Sequence, residues 1–132
     1  MNIYYFAYGT NLNRKLFFKK YKNAKFFKKF LLKGYEIVFR CKYRVPDIQK
    51  KVKSKGPGGI YIIDKQIEKK LDKYEDYPNL YIKKYFYINK KKIMFYYMKE
   101  KSPTKKPSGY YFKIMKEGLH QNKFNKSFLK NL

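Results

Sequence analysis

The stretch Ile3-Tyr4-Tyr5-Phe6-Ala7-Tyr8-Gly9-Thr10-Asn11 opens the chain as an apolar, aromatic-rich run that stops at three turn-forming or capping residues. Aromatic and β-branched residues suit a pleated, buried surface, so the run reads as a core strand feeding a loop. Downstream, Asn11 or Asn13 can cap a helix over residues 16–22. Residues 26–39 are rich in β-compatible types and break at Lys33-Gly34, which predicts two strands, and residues 49–57, with their lysines, Ser54, Gly56 and Pro57, read as a polar loop. A strand resumes over residues 58–63, and Asp64 is placed to cap the helix that follows. In that helix Ile67, Leu71 and Tyr74 recur at i, i+4 and i+7 along one face, with Lys69 and Lys73 opposite and Pro78 as the stop. Residues 81–88 and 93–98 predict a hairpin turning at residues 89–92, with Tyr85, Tyr87, Phe95 and Tyr97 at period two. Pro107-Ser108 opens a last helix carrying Tyr111, Ile114 and Met115 on one face, with Gly118 as its end. The pattern gives an α+β fold class: a small mixed, mostly antiparallel β-barrel, closed or nearly closed, with flanking helices.

Length and composition bound this reading. At 132 residues a single domain spanning 1–132 is expected. The formal net charge of +25 invites disorder, but Leu, Ile, Val and Phe exceed a quarter of the chain, above the roughly 20% floor for folded proteins. One cysteine, Cys41, and one histidine, His120, exclude an internal disulfide and a zinc cluster, and a reducing, cytoplasmic setting is expected. No apolar run approaches the ~18 to 20 residues of a membrane span, and the N-terminus lacks a leader pattern, so no membrane attachment is expected. Arg occurs only at Arg14, Arg40 and Arg44, and residues with A/T-rich codons (Lys, Asn, Ile, Tyr, Phe) make up more than half of the chain. A protein selected to grip phosphates and guanine edges would use Arg's planar fork more freely, so drift toward lysine accounts for the charge better than nucleic-acid binding does.

Two features carry chemistry. Glu75 lies about 40° around the helix from Leu71, at the margin of the apolar face and at the helix end, where a half-buried acid is a candidate general base. The alternative is a surface acid paired with Lys83 or Lys84. The turn Tyr8-Gly9-Thr10-Asn11 has a glycine at a strand end, which lets a ligand approach backbone N–H groups. A plain strand-to-helix connection explains it equally well. It is not a phosphate loop, because the spaced glycines and the terminal Gly-Lys-Ser/Thr are missing. Cys41 and His120 sit in no nucleophile signature.

In order along the chain stand YFAYGTNL (residues 5–12), GYEIVF (34–39), GGIYIID (58–64), LDKYEDYPNLY (71–81) and PSGYYFKI (107–114). Together they resemble the gamma-glutamylcyclotransferase family with its gamma-glutamylamine and avirulence-induced relatives. The first resembles the family's opening strand and substrate loop, the second its Gly-Tyr-x-Leu-x-Phe strand and the third its Gly-x-x-Tyr-x-Ile/Leu strand. The fourth resembles the Leu-Asp-x-x-Glu-x-x-Pro-x-x-Tyr segment that carries the catalytic glutamate, and the fifth the Pro-Ser-x-x-Tyr helix start. Residues 44–57 fit only loosely, around VPDIQK (45–50).

The resemblance implies an enzyme that needs no cofactor and no metal. The α-amine of a γ-glutamyl group attacks its own γ-carbonyl, giving 5-oxoproline and a free amine or peptide. Glu75 is then the catalytic acid/base, Tyr8, Gly9, Thr10, Asn11 and Leu12 form the substrate loop, and Tyr81 and Tyr111 line or brace the pocket. Burial raises a carboxylate's pKa and nearby lysines lower it, so Glu75 is expected in a tyrosine-walled pocket with Lys69, Lys73, Lys83 and Lys84 in solvent. The leaving group stays open among an amino acid, a dipeptide as in glutathione, an alkyl amine and a protein-derived lysine; monomer and homodimer also stay open. The rival reading is a basic nucleic-acid-binding module without catalytic activity, using lysine contacts and tyrosine stacking. A third is an inactive family member kept for binding.

Overall fold

The opening aromatic run forms β1 (Ile3–Ala7), near the middle of a six-stranded sheet, in a computed structural model that describes residues 2–129. Chain order continues with a 3-10 turn (Gly9–Leu12), α1 (Arg14–Lys20), β2 (Lys25–Arg40), β3 (Val45–Ile63), α2 (Lys65–Tyr74), β4 (Tyr81–Ile88), β5 (Lys91–Met98), β6 (Thr104–Lys105), α3 (Gly109–Gln121) and a final 3-10 turn (Lys126–Leu129). The sheet order is β4-β5-β1-β3-β2-β6, and every pairing is antiparallel except β1 with β5. The sheet curls into a half-barrel whose outer strands are β4 and β6. Among the described residues no helix is long and apolar enough to cross a membrane.

Alternation along β1 divides the core. Tyr5 and Ala7 join Phe17, Tyr61, Leu71 and Tyr96 on one face, while Phe6 joins Leu12, Ile60, Phe95, Met115 and Leu119 on the other. Helix starts are fixed by side-chain caps: Asn13 Oδ1 accepts from Leu16 N at 3.2 Å and Asp64 Oδ1 from Ile67 N at 2.8 Å. Each such cap contributes about 1 kcal/mol.

Four local expectations are corrected. Residues 26–39 are one strand, because the ladder with β3 crosses the Lys33-Gly34 break: Lys33 pairs with Lys55 and Tyr35 with Lys50. The polar stretch at residues 49–57 is therefore strand throughout. Only residues 51–54 lie outside the ladder, bulging opposite Gly34 at φ +80°. Paired backbone, not side-chain polarity, decides the state of these exposed positions. The β4–β5 turn is two residues long, Asn89 and Lys90, both at positive φ, because Ile88 already pairs with Lys91. Finally, α3 runs through Gly118 to Gln121. A Cβ there would lie 2.9 Å from Asn13 N and 3.1 Å from Leu12 C, so this glycine lets the helix press onto the turn after β1 and does not terminate it.

Candidate active site

Glu75 is the C-terminal cap of α2: its N–H donates to Leu71 O at 2.8 Å, and Asp76 at φ +51° then turns the chain away. Because Leu71 is fully buried, the residue one turn later leaves the helix at the edge of the core. The Glu75 side chain is half-buried in a cavity of about 20 Å³ lined by Tyr5, Tyr8, Thr10, Asn11, Pro46, Tyr81 and Tyr96. Among the described residues no side chain forms an ion pair with its carboxyl. Burial pushes its pKa up to about 7, against the opposing pull of the Lys20 ammonium. Burial disfavours the charged form, and among the described residues no hydrogen-bonded cation restores it.

The turn facing Glu75 depends on Gly9, which sits at φ +65° and where a Cβ would lie 2.7 Å from Pro46 Cγ. Any other residue is thus excluded twice, by backbone conformation and by contact with the cavity wall. Hydroxyl hydrogen bonds fix the remaining walls. Asn11 Nδ2 donates to Tyr5 Oη at 3.0 Å, Tyr61 Oη donates to Asn11 O at 3.2 Å and Tyr8 Oη donates to Tyr96 O at 2.7 Å. Tyr81 Oη donates to Pro46 O. Burial, reinforced by the Glu75 charge, pushes the pKa of Tyr5 and Tyr81 up, and burial raises that of Tyr8, so these phenols stay neutral.

Beside this cavity lies a cleft of about 350 Å³ that shares Thr10 and Asn11 with it. Tyr111 lines this larger cleft with Leu16, Lys19, Lys20, Tyr74 and Tyr110. Tyr74 therefore does not cover the core: it is 53% exposed, with Lys20 Nζ 4.5 Å from its ring centroid.

Of the site residues expected from the sequence, the structure gathers Tyr8, Thr10, Asn11, Glu75 and Tyr81 around one cavity, with Gly9 shaping its rim. The Leu12 side chain is fully buried in the core, and its carbonyl accepts from Asn122 Nδ2 at 3.2 Å. Tyr5, Pro46, Tyr96 and Lys20 were missed. Tyr5 was readable from its alternation with Phe6, whereas Pro46 and Lys20 reach the site only through tertiary packing.

Lys69 and Lys73 are exposed, but Lys83 is not in solvent. Its side chain is 11% exposed, and Nζ lies 2.8 Å from Glu68 Oε2 and 2.9 Å from Asp72 Oδ1. Tyr96 Oη also donates to Asp72 Oδ1 at 2.6 Å. Two carboxylates on α2 hold this lysine, so it is not the partner of Glu75. Lys84 is half-buried and lies 5.6 Å from the Tyr35 ring centroid. Among the described residues no group of three or more His, Cys, Asp or Glu is placed to hold a metal ion.

The fold recurs among solved structures. A structure described as a gamma-glutamyl cyclotransferase superposes with a TM-score of 0.82 at 19% identity, over 99% of this chain and 86% of that one. An uncharacterized protein from Homo sapiens gives 0.80 at 21% identity, over 98% and 85%. An AIG2-like protein from Mus musculus gives 0.62 at 19% identity, over 77% and 80%. At these identities the likeness speaks for the fold. No match is found among curated proteins. The sequence pattern of the gamma-glutamyl cyclotransferase, AIG2-like family matches residues 5–113. The chain belongs to the gamma-glutamyl cyclotransferase, AIG2-like family.

Proposed function

We propose that the protein converts a γ-glutamyl amine or peptide to 5-oxo-L-proline and the free amine, in a cytoplasmic setting and without a cofactor, with Glu75 as acid/base. One observation carries this reading: a carboxyl held without a cationic partner in a tyrosine cavity, facing a glycine turn, with a pKa near 7. The α-nitrogen of the glutamyl group forms the new C–N bond to the γ-carbonyl carbon, and the old C–N bond to the leaving amine breaks. Glu75 takes the proton lost by the α-nitrogen and returns it to the departing nitrogen, so no water is consumed.

The pKa explains why burial matters. An α-ammonium near ~8 and a reference glutamate near ~4.3 differ by about 3.7 units, or ~5 kcal/mol, against the proton transfer. With Glu75 at about 7 the gap falls to roughly one unit, or ~1.4 kcal/mol. The leading N–H groups of the Gly9–Leu12 turn, which no side chain caps, are the proposed donors to the oxyanion of the tetrahedral intermediate. Folding the glutamyl chain so that its amine meets its carbonyl contributes a further orientation effect, up to roughly 7 to 11 kcal/mol in well-aligned intramolecular reactions. A cavity of about 20 Å³ has room for little more than one water. Only the reacting end of the substrate therefore lies against Glu75, and the rest extends past Thr10 and Asn11 into the larger cleft.

A module that grips single strands by lysine and tyrosine contacts gains nothing from a carboxyl kept out of water. Purified protein incubated with a panel of γ-glutamyl amides and peptides is expected to release 5-oxoproline, and Glu75→Gln is expected to cut turnover by about 10² to 10⁴-fold with the fold retained. Tight, salt-steep oligonucleotide binding without 5-oxoproline release from any panel member supports the rival reading instead.

A further inference from the structure

The cleft beside Glu75 has a chemistry of its own. Its two charged lining residues are Lys19 and Lys20, and no acid lines it. Both lysines lie in the last turn of α1, at the rim. Among the described residues neither forms an ion pair, whereas Lys51, Lys83 and Lys101 all do. Lys20 is held over the Tyr74 ring at 4.5 Å, and Tyr110 packs edge-on against Tyr111 at 5.6 Å. The result is a cleft with aromatic walls and a cationic edge, about 350 Å³ in volume, within the ordinary range for small-molecule sites. Its neighbour Glu75 faces the smaller cavity.

We infer that this cleft receives the leaving group of the proposed reaction and selects one that carries a carboxylate, so that the substrates are γ-glutamyl amino acids or peptides with a free acid and not γ-glutamyl alkyl amines. The inference rests on the proposed cyclisation and adds the leaving-group class to it. The alkyl group of a γ-glutamyl alkyl amide is uncharged and gains nothing from the two ammonium groups, and a leaving group bearing a further ammonium would be repelled by them within a protein of net charge +25. A carboxylate there gains attraction from both, and an apolar or aromatic side chain beside it packs on the tyrosines. Because the lysines are exposed, each contact is modest and weakens with salt.

γ-Glutamyl-phenylalanine and γ-glutamyl-phenylalaninamide differ only in carboxylate against carboxamide on the leaving group, so the ratio of their kcat/KM values isolates the contact. At low salt the acid is expected to be favoured about tenfold, with the preference shrinking as salt rises. Lys19→Met and Lys20→Met should each reduce the ratio about threefold, and the double variant should bring it near one. Taking a ratio cancels any effect of Lys20 on Glu75 itself, since both substrates use the same acid/base. A ratio that the variants leave unchanged overturns the inference. So does an equal loss with both substrates, which places the lysines on the glutamyl head. If the wild-type protein releases 5-oxoproline from neither compound but does so from a γ-glutamyl alkyl amine, the inference falls and the cyclisation stands; release from no γ-glutamyl compound of the panel removes both, and turnover of both phenylalanine compounds without a preference removes the inference alone.

Discussion

Asp47 and Glu75 are both carboxylates taken out of water in the same aromatic-rich region, and they meet opposite fates. The Asp47 side chain is fully buried and satisfied: Arg40 Nε lies 2.8 Å and Lys101 Nζ 2.7 Å from Oδ2, and Met98 N donates to Oδ1 at 2.7 Å. Among the described residues Glu75 has no such partners, and burial pushes its pKa to about 7. A satisfied buried acid ties strands together, here β2, β3 and the end of β5; an unsatisfied one keeps its proton near neutrality and can exchange it. The two are also linked, because Pro46, adjacent to Asp47, is a wall of the Glu75 cavity. The Asp47 ion pairs thereby anchor the segment that supplies one wall of the cavity in which Glu75 sits.

Breaking the structural side should give the largest effect on stability. Arg40→Met leaves Asp47 buried without its 4%-exposed guanidinium partner and is expected to lower the unfolding free energy by about 3 kcal/mol in urea titrations. A loss below about 1 kcal/mol would mean that Lys101 alone suffices and would erase the contrast.

The reactive side predicts the reverse sign. Glu75 binds its proton more tightly folded than unfolded, so its contribution to stability is fully present below the ordinary glutamate pKa of ~4.3 and is lost as pH rises through about 7. Glu75→Gln should therefore stabilise the protein at pH 8 by roughly 3 kcal/mol, a gain that vanishes in parallel melts near pH 4. Destabilisation at pH 8 would make Glu75 a structural acid like Asp47.

The smallest effect concerns Lys20, whose charge lowers the Glu75 pKa. Lys20→Met should move the acidic limb of the kcat/KM profile upward from about 7 by several tenths of a unit. A downward or absent shift would sever the two groups.

The sequence made one half of this contrast readable. Glu75 was legible because helical periodicity places it one turn beyond Leu71, and β1 and its glycine turn because aromatic alternation stops abruptly at Gly9. Asp47 was not, since its partners Arg40, Met98 and Lys101 converge only once β2, β3 and the end of β5 are assembled. Lys83 was misplaced for the same reason: its ion pairs with Glu68 and Asp72 join β4 to α2 across the fold. Residues 49–57 look like a loop because exposed lysines carry no burial pattern, and only the backbone ladder to β2 holds this part of β3 as strand. Gly118 resembles a helix end, and its reason for being glycine is contact with Asn13, far away in the chain.

The central claim is that Glu75 is an acid poised near neutrality by burial. It is tested most directly by following the side-chain carboxyl carbon of ¹³C-labelled glutamate by NMR across pH, with the Glu75 signal assigned by its loss in Glu75→Gln. The account predicts a midpoint at about 7. A midpoint in the ordinary range near ~4.3 would contradict it, because a fully ionised carboxylate at neutral pH is too weak a base for the proton transfer on which the proposed cyclisation depends.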